Sequence, residues 1–198
     1  SVTDSTNSQL LHRLSEGQQL EAGTVLVAEA QTAGRGRRGK SWLSPFGANL
    51  YFSMYWPLEQ GIQAAMGLSL VIGVAVAKTL EQLFQLPVQL KWPNDILYMG
   101  RKLGGILIET VSSNDKPGLP LVIGIGLDLI APNSWQNNTD WATLSEIQQE
   151  PDKNQLVVMI VDYLHEYLGI FEQQGFAYFR QQWMQHDYYS GKKVKLIS

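Results

Sequence analysis

Apolar residues along the chain fall into runs of helical and of strand-like spacing. Leu10, Leu11 and Leu14 share one face of a first helix, which either Asp4 or Ser5 can cap. Short runs rich in β-branched residues, bounded by glycine and proline, predict strands. These strands cover residues 24–30, 49–55, 88–92, 96–99, 102–111 and 119–130. Longer apolar periods predict helices over residues 62–85, 143–148, 152–173 and 177–186, and residues 132–140 are predicted to be a polar loop.

The order of these elements predicts a fold of the α/β (α+β) class. Strands that pair as hairpins, one of them turning near Gly100, favour a mixed, largely antiparallel sheet flanked by helices. The last residues, GKKVKLIS, resemble one more strand, and a single strand cannot bury its own face. We therefore expect one domain over residues 1–188 and the truncated or undescribed beginning of a second over residues 189–198.

Composition limits the kinds of function that are open to the chain. Its 198 residues, 44% of them hydrophobic, are enough for one sizeable core. A net charge of −3 argues against nucleic-acid binding by bulk electrostatics, and the lack of cysteine removes disulfides and thiolate chemistry. The N-terminus lacks a signal-peptide pattern, and the longest nearly uncharged run, residues 64–77, is too short to span a membrane. These features predict a cytoplasmic protein without a membrane partner.

The stretch GRGRRGKS, residues 34–41, matches two nucleotide-binding patterns, the P-loop and the dinucleotide fingerprint. Both patterns require a helix directly afterwards, because the N–H groups of its first turn hold the phosphates. Here the next residues contain Pro45 and Gly47 and then continue as a predicted strand, so neither pattern applies.

The composition of this stretch still needs an explanation. We call residues 34–42 the basic loop, since four cations lie within six residues: Arg35, Arg37, Arg38 and Lys40. These charges repel each other unless an anion lies among them, and the glycines make the empty loop costly to order. A loop that orders around a polyphosphate fits this composition. A solvated basic loop, or a patch for RNA phosphates, fits the composition of the loop equally well.

The segments around the basic loop resemble a known family. DSTN (residues 4–7), AEAQTAGRGRRGKSWLSPFGANLYFSM (28–54), KWPNDI (91–96) and RKLGGILIE (101–109) follow the order and spacing of biotin protein ligases. Over nearly its whole length the chain resembles the catalytic domain of a biotin–[acetyl-CoA-carboxylase] ligase, without the N-terminal winged helix by which some members bind DNA. The resemblance implies a class II synthetase-like domain and no nucleic-acid partner. It also implies that residues 189–198 begin a small SH3-like β domain.

The resemblance implies a ligase that works in two half-reactions. Biotin and ATP, with Mg²⁺, give biotinyl-5′-AMP and pyrophosphate. A lysine of the biotin carboxyl carrier protein of acetyl-CoA carboxylase then takes the biotin, and AMP leaves. Family members often dimerise through a sheet edge, which makes a homodimer one option for this chain.

The resemblance also implies roles for individual residues of this sequence. The residues implied for biotin are Ser5, Thr6, Asn7, Gln31, Gly34, Arg35, Lys102, Gly104 and Gly105. Those implied for the nucleotide are Arg35, Arg37, Trp42, Lys91, Asn94 and Asp128. The catalytic set is Lys102, Arg35 and Asp95, with Asp95 a candidate either for holding Mg²⁺ or for positioning and deprotonating the carrier's lysine.

Taken without the resemblance, most of these residues have an ordinary structural interpretation. Ser5 and Thr6 are typical helix caps, and Trp42 is typical of a core. A lysine beside a hairpin turn, as Lys102 is, usually lies in solvent, and Asn94 with Asp95 is typical of an Asx turn.

One position departs from the family pattern. The strand segment VIGIGLDL has Asp128 where the family usually has an asparagine that contacts the adenine. A carboxylate accepts hydrogen bonds but donates none unless it is protonated. We therefore predict a weakened or altered adenine contact at Asp128.

Two other functions are weighed against a biotin ligase. A lipoate or octanoate protein ligase shares the implied architecture and its lysine, but GRGRRG and KWPND favour biotin. An RNA-binding module would use the basic loop, but the net charge of −3 and the concentration of cations near one loop argue against it.

Overall fold

The computed structural model describes residues 1–59, 61, 65, 67–111, 118–131, 140–147 and 151–194. The strands are β1 (Val2–Thr3), β2 (Val25–Ala28), β3 (Ala30–Gln31), β4 (Asn49–Leu58), β5 (Gln89–Lys91), β6 (Asp95–Tyr98), β7 (Arg101–Thr110) and β8 (Leu119–Asp128). The helices are α1 (Thr6–Ser15), α2 (Leu68–Phe84) and α3 (Lys153–His186).

Six strands form one antiparallel sheet in the order β2–β4–β8–β7–β6–β5, and β1 pairs with β3 in parallel. The predicted α/β fold with a largely antiparallel sheet is confirmed. The hairpin between β6 and β7 turns at Met99 and Gly100, where φ is 49° and 78°. Positive φ at both central residues is the geometry of a tight two-residue hairpin turn, and it explains the glycine there.

The two faces of the sheet have different neighbours. Side chains alternate along a strand, so on β4 the main core receives Leu50, Phe52 and Met54, whereas Tyr51 and Ser53 face the other side. Helices α2 and α3 pack against each other and cover the core face. Helix α1 packs on the opposite face, which we call the site face.

Glycines shape the middle of the site face. On β8, Ile123 and Ile125 lie in the core, and the alternate positions are Gly124 and Gly126. A Cβ atom on Gly124 would collide with the side chain of Asn7, and one on Gly126 would lie 2.9 Å from the indole of Trp42. The missing side chains therefore let α1 and the basic loop approach the sheet closely.

Two of the predicted elements are shorter or more broken than the sequence indicates. The strand predicted over residues 24–30 is interrupted at Glu29, after which β3 leaves the large sheet and pairs with β1. The helix predicted from residue 62 begins at Leu68, because Gly67 has a φ of +87° that a helix cannot continue. Residues 62–64 and 66 of that prediction lie outside the described residues.

The C-terminal helices also differ from the prediction. The helix predicted over residues 143–148 is one 3₁₀ turn, Leu144–Glu146, in which Thr143 and Glu146 form a capping box. The two helices predicted over residues 152–186 meet end to end in α3, with a non-helical break at Gly175. In the part of the chain that the structure describes, no helix is long and apolar enough to cross a membrane.

Two predicted segments lie largely outside the described residues. Of the predicted loop over residues 132–140, only Asp140 is described. Of the predicted last strand, residues 195–198 are not described, and Lys192, Lys193 and Val194 form no strand. The second domain over residues 189–198 therefore stays a prediction.

Candidate active site

A cavity of about 670 Å³ opens on the site face of the sheet. Its walls come from the start of α1, the basic loop, the segment between β5 and β6, and the middle of β7 and β8. The lining residues include Ser5, Thr6, Asn7, Gln31, Arg35, Arg37, Trp42, Asn94, Asp95, Lys102, Gly105, Gly124, Gly126 and Trp141. The cavity therefore brings together most of the site residues that the resemblance implies.

One end of the cavity is a pocket of small polar groups at the start of α1. Ser5 caps the helix, since its hydroxyl accepts from the N–H of Ser8 at 3.4 Å. The N–H of Thr6 donates to Gln31 Oε1 at 2.8 Å, and Gln31 Nε2 donates to the Ser44 hydroxyl at 3.0 Å. Ser5 is thus both a helix cap and part of the cavity wall. We call Ser5, Thr6 and Gln31 the polar pocket.

A carboxylate at the edge of the polar pocket ties α1 to the basic loop. Glu109 Oε2 accepts from Arg35 Nη2 at 2.7 Å and from Asn7 Nδ2 at 2.9 Å. Arg35 and Glu109 are both only partly exposed. The Arg35 side chain is therefore held at the edge of the cavity by its ion pair with Glu109.

The basic loop is folded back on itself. The N–H of Trp42 donates to the carbonyl of Gly34 at 2.8 Å, and the N–H of Gly36 donates to the carbonyl of Lys40 at 2.7 Å. A single 3₁₀ turn, Arg37–Gly39, forms its tip, and β4 is the next regular element. Since no helix follows within the fully described residues 40–48, neither the P-loop nor the dinucleotide pattern describes this loop.

The tip of the basic loop contacts the turn before β6. Arg37 Nη1 donates to Asn94 Oδ1 at 3.2 Å, and Asn94 Nδ2 donates to the carbonyl of Ile106 at 3.0 Å. Asn94 is thereby oriented by β7 on one side and by the loop on the other. This contact places the Arg37 guanidinium at the wall of the cavity, where it can bind an anion.

We call the part of the cavity that is lined by Arg35, Arg37, Asp95 and Lys102 its charged half. Lys102 Nζ is 2.7 Å from Asp95 Oδ1 and lies over the rings of Trp42 and Trp141, at 5.2 Å and 5.7 Å from their centroids. Trp42 and Trp141 meet edge to face with their ring centroids 6.0 Å apart. The ammonium group is therefore held between one carboxylate and two aromatic rings in the wall of the cavity, and the side chain is only partly exposed.

Asp128 lies on the site face of β8, two residues beyond Gly126, and is 1% exposed. Asn49 Nδ2 donates to its Oδ1 at 2.8 Å, and its Oδ2 has no hydrogen-bond partner among the described residues. Burial raises the pKa of Asp128 to about 8, although the positive charge of Lys102 opposes the shift. At neutral pH this carboxyl is therefore mainly protonated, and its hydroxyl can donate a hydrogen bond as an asparagine amide does.

Four implied residues do not line the cavity. Lys91 lies 6.0 Å from the ring of Tyr188, and a Cβ on Gly104 would meet the backbone of Gly126, so Gly104 serves strand packing. Gly34 packs in the same way, against Trp42 and Ser44 within the loop. Asp128 lies beneath the cavity wall.

Three residues of the site were not predicted from the sequence: Ser53, Glu109 and Trp141. Ser53 is fully buried below the polar pocket, and Glu109 pairs with Arg35. A serine in the middle of the apolar segment NLYFSMYW and a glutamate at the end of LGGILIE were the available signals. Trp141 is a single aromatic residue after a polar segment. It reaches the site because the residues on either side of it bond to the backbone of Lys102. Lys102 N donates to Asp140 O, and Ala142 N donates to Lys102 O.

The described part of the chain contains no group of three or more His, Cys, Asp or Glu side chains that could hold a metal ion. Asp95 lines the cavity, and it is ion-paired with Lys102. Magnesium that arrives on a triphosphate needs only one or two protein carboxylates, so Asp95 fits Mg²⁺ bound to ATP.

The matching family model and the similar known proteins all indicate the same protein family. Residues 1–128 match the model of the biotin/lipoate A/B protein ligase family. The bifunctional ligase/repressor BirA of Escherichia coli is 44% identical over 198 residues, which cover 99% of this chain. The biotin–[acetyl-CoA-carboxylase] ligase of Paracoccus denitrificans is 33% identical, and the match covers 92% of this chain and 77% of that protein.

Solved structures agree with these matches. The biotin protein ligase from Aquifex aeolicus, in complex with biotin and ATP, aligns with a TM-score of 0.81 and 30% identity. That alignment covers 96% of this chain and 77% of the other. The chain spans about 60% of the length of the BirA proteins of Escherichia coli and Salmonella typhimurium.

Proposed function

The chain belongs to the biotin/lipoate A/B protein ligase family, and we propose that it activates biotin with ATP and transfers it to a carrier protein. The observation that carries this proposal is the composition of one cavity. It joins a small polar pocket, a loop of cations and a lysine held between two tryptophans. The carrier in this proposal is the biotin carboxyl carrier protein of acetyl-CoA carboxylase, and the reaction takes place in the cytoplasm. Two relatives are named as biotin–[acetyl-CoA-carboxylase] ligases, which supports the choice of carrier.

Biotin occupies the part of the cavity between the polar pocket and Lys102. The ureido ring is recognised by Ser5, Thr6 and Gln31, whose side chains line the wall there. Gly105, Gly124 and Gly126 line this part of the cavity, and their missing side chains let Asn7 and Trp42 form its walls close to the sheet. The carboxylate at the end of the valeryl chain then points towards Lys102. Asn7 holds Glu109, and through it Arg35, in place at the edge.

Activation brings a carboxylate and a triphosphate together, so the site must supply positive charge where negative charge accumulates. A carboxylate oxygen of biotin attacks the α-phosphorus, the bond between the α-phosphorus and the bridging oxygen to the β-phosphate breaks, and pyrophosphate leaves. Lys102 Nζ stabilises the α-phosphate, and the guanidinium groups of Arg35 and Arg37 bind phosphate oxygens. Trp42 and Trp141 flank Lys102 and exclude water from the anhydride that forms.

Transfer needs a neutral amine on the carrier. Its lysine nitrogen attacks the carbonyl carbon of biotinyl-5′-AMP, the bond to the phosphate oxygen breaks, and AMP leaves. Asp95 lies beside Lys102 and is positioned to take the proton of the incoming amine, or to contribute one ligand to Mg²⁺ in the first step. Asn94 orients this turn through its bond to the carbonyl of Ile106. Asp128 contributes to binding of the adenine from below the cavity wall.

A lipoate ligase is the second candidate, because the matching family model covers both activities. The polar pocket disfavours it, since a dithiolane ring offers no polar hydrogen to Thr6 or Gln31.

Pyrophosphate release tests the proposal. The protein is incubated with ATP and Mg²⁺ together with biotin, with lipoate, or with neither, and we expect release with biotin only. Lys102→Met should abolish it, whereas Lys78→Met should not, because Lys78 lies on α2 and pairs with Glu81 far from the cavity. Release with lipoate and not with biotin would contradict the proposal, and equal activity of the two variants would contradict the role of Lys102.

A further inference from the structure

We propose that Ser53 is a positioning residue that turns the Thr6 hydroxyl into a hydrogen-bond acceptor, so that the polar pocket selects a ligand carrying an N–H donor. The inference rests on the proposed function only for the name of that ligand, the cyclic urea of biotin. Ser53 lies on the site face of β4 and is fully buried below the pocket. It does not line the cavity, so any effect on the ligand passes through its neighbours.

The direction of the hydrogen bonds is set at the edge of the pocket. Asn7 Nδ2 faces two acceptors, the Glu109 carboxylate at 2.9 Å and the carbonyl of Leu107 at 3.3 Å. Neither an ionised carboxylate nor a carbonyl can donate, so the amide nitrogen of Asn7 must face them. Its Oδ1 therefore points towards Ser53 and can only accept.

Ser53 has one hydroxyl proton, and the orientation of the Asn7 amide determines where that proton points. Ser53 Oγ lies 2.5 Å from Asn7 Oδ1 and 2.7 Å from Thr6 Oγ1. Since Asn7 Oδ1 accepts, the Ser53 proton is used there. Thr6 Oγ1 lies 2.7 Å from Ser53 Oγ and 3.2 Å from Gln31 Oε1, so the contact with Ser53 is the shorter of the two. A bond between the two hydroxyls requires that Thr6 donates and Ser53 accepts, so the Thr6 proton points down towards the sheet.

The neighbouring amide has the same polarity. The backbone N–H of Thr6 donates to Gln31 Oε1 at 2.8 Å, which fixes the oxygen of Gln31 on the side of the pocket. Gln31 Nε2 donates instead to Ser44, whose hydroxyl donates to the carbonyl of Trp42 at 3.2 Å. The pocket wall therefore presents the lone pairs of Thr6 Oγ1 and Gln31 Oε1, while the Thr6 proton points towards Ser53 and the Gln31 amide nitrogen is directed at Ser44.

A wall of acceptors selects for donors. A cyclic urea carries two N–H groups beside one carbonyl, and the Ser5 hydroxyl, which accepts from Ser8, keeps its own proton for that carbonyl. A ligand without an N–H group would leave both acceptors unpaired after they lose water. The binding free energy then includes the full desolvation penalty of these two atoms. The buried Ser53 hydroxyl is thus a determinant of specificity that touches no ligand.

Calorimetry on wild type, Ser53→Ala and a control variant tests this. The control is Thr79→Val, which removes an equally buried hydroxyl that donates to the carbonyl of Ala75 in α2, on the other face of the sheet. The ligands are biotin, biotin methylated at its ureido nitrogens, and ATP. A matched pair of fragments, imidazolidin-2-one and its N,N′-dimethyl form, is followed by ligand-observed NMR.

We expect Ser53→Ala to lower the affinity for biotin about tenfold and to reduce the preference for biotin over the methylated ligand by a similar factor. Affinity for ATP should stay unchanged, and Thr79→Val should retain the full preference. A hydroxyl that only stabilises the fold would weaken both biotin ligands alike. If Ser53→Ala does not fold, Ser53→Cys carries the test, because a thiol is a weaker donor and acceptor of similar size.

The outcomes separate the two proposals. Biotin binding by wild type with an undiminished preference in Ser53→Ala overturns the inference and leaves the proposed function standing. Failure of wild type to bind biotin, together with selective binding of imidazolidin-2-one over its dimethyl form, overturns the proposed function and supports the pocket's polarity. Equal binding of the two fragments by wild type overturns the inference directly.

Discussion

Replacing Asp128 with asparagine should stabilise the protein, and by an amount that depends on pH. The carboxyl is 1% exposed, and burial raises its pKa from the ordinary 3.8 to about 8. In the unfolded chain the group ionises near pH 4, whereas in the folded protein it keeps its proton until pH 8. Between these values the folded state binds one proton more than the unfolded state. Stability therefore falls as pH rises and stops falling above pH 8.

The magnitude follows from the same two pKa values. Each pH unit between them costs about 1.4 kcal/mol of folding free energy. Neutral pH lies about three units above the unfolded value, so the buried carboxyl costs about 4 kcal/mol at pH 7. An asparagine has the same shape, is never ionised, and still accepts from Asn49 at Oδ1. Its amide nitrogen replaces one unpaired polar atom by another, so the change in hydrogen bonding is small.

Urea denaturation of wild type and Asp128→Asn at unit steps from pH 5 to pH 9 measures this difference. The gain in the free energy of unfolding should grow by about 1.4 kcal/mol per unit up to pH 8 and then remain constant. Asp162→Asn, at an exposed position on α3, is the matched control and should change stability little at any of these pH values. A difference between wild type and Asp128→Asn that does not vary with pH would show that this carboxyl is ionised in the folded protein and would refute the reasoning.

Three further predictions concern the site. Calorimetry should give similar affinities for ATP in wild type and Asp128→Asn at pH 7, and wild type alone should lose affinity above pH 8. A difference already present at pH 7 would instead support the weakened adenine contact predicted from the sequence. Gly126→Ala should lower the free energy of unfolding by about 1–3 kcal/mol and alter tryptophan fluorescence, because its Cβ would lie 2.9 Å from the Trp42 ring; an unchanged melting curve and spectrum would contradict this packing. The basic loop should be cleaved by trypsin in the free protein and protected by biotin with ATP, and equal cleavage with and without them would contradict ordering around the adenylate.

The regular elements were predictable where one periodicity runs through a segment long enough to display it. The six strands of the large sheet were found in this way. The cap of α1 was predicted only as either Asp4 or Ser5, and the structure shows that it is Ser5. The pair β1–β3 was not, because two residues per strand show no alternation, and its register depends on backbone bonds such as that from Thr32 N to Thr3 O. The late start of α2 was missed because residues 62–66, IQAAM, carry no charge and show no strong break before Gly67.

The site was predictable only as far as its residues lie in short segments of distinctive composition. Arg35, Arg37 and Lys102 could be named from GRGRRG and KLGG, yet their partners could not, since Glu109, Asn94 and Trp141 become neighbours only when β6, β7 and the basic loop meet. Asp128 illustrates the limit most clearly. Its identity was evident in the sequence, but its charge state depends on burial, which a single sequence does not give.

Neighbouring side chains reduce the repulsion among the four cations of the basic loop. Arg35 is paired with Glu109, and Arg37 donates to Asn94, so two of the four charges already have partners on β7 and on the turn before β6. A bound phosphate must compete with these contacts, which lowers affinity for single anions. A ligand that fills the polar pocket and the charged half together gains enough contacts to do so. The same partners that hold the loop in place therefore favour a two-part ligand such as an acyl-adenylate over free phosphate.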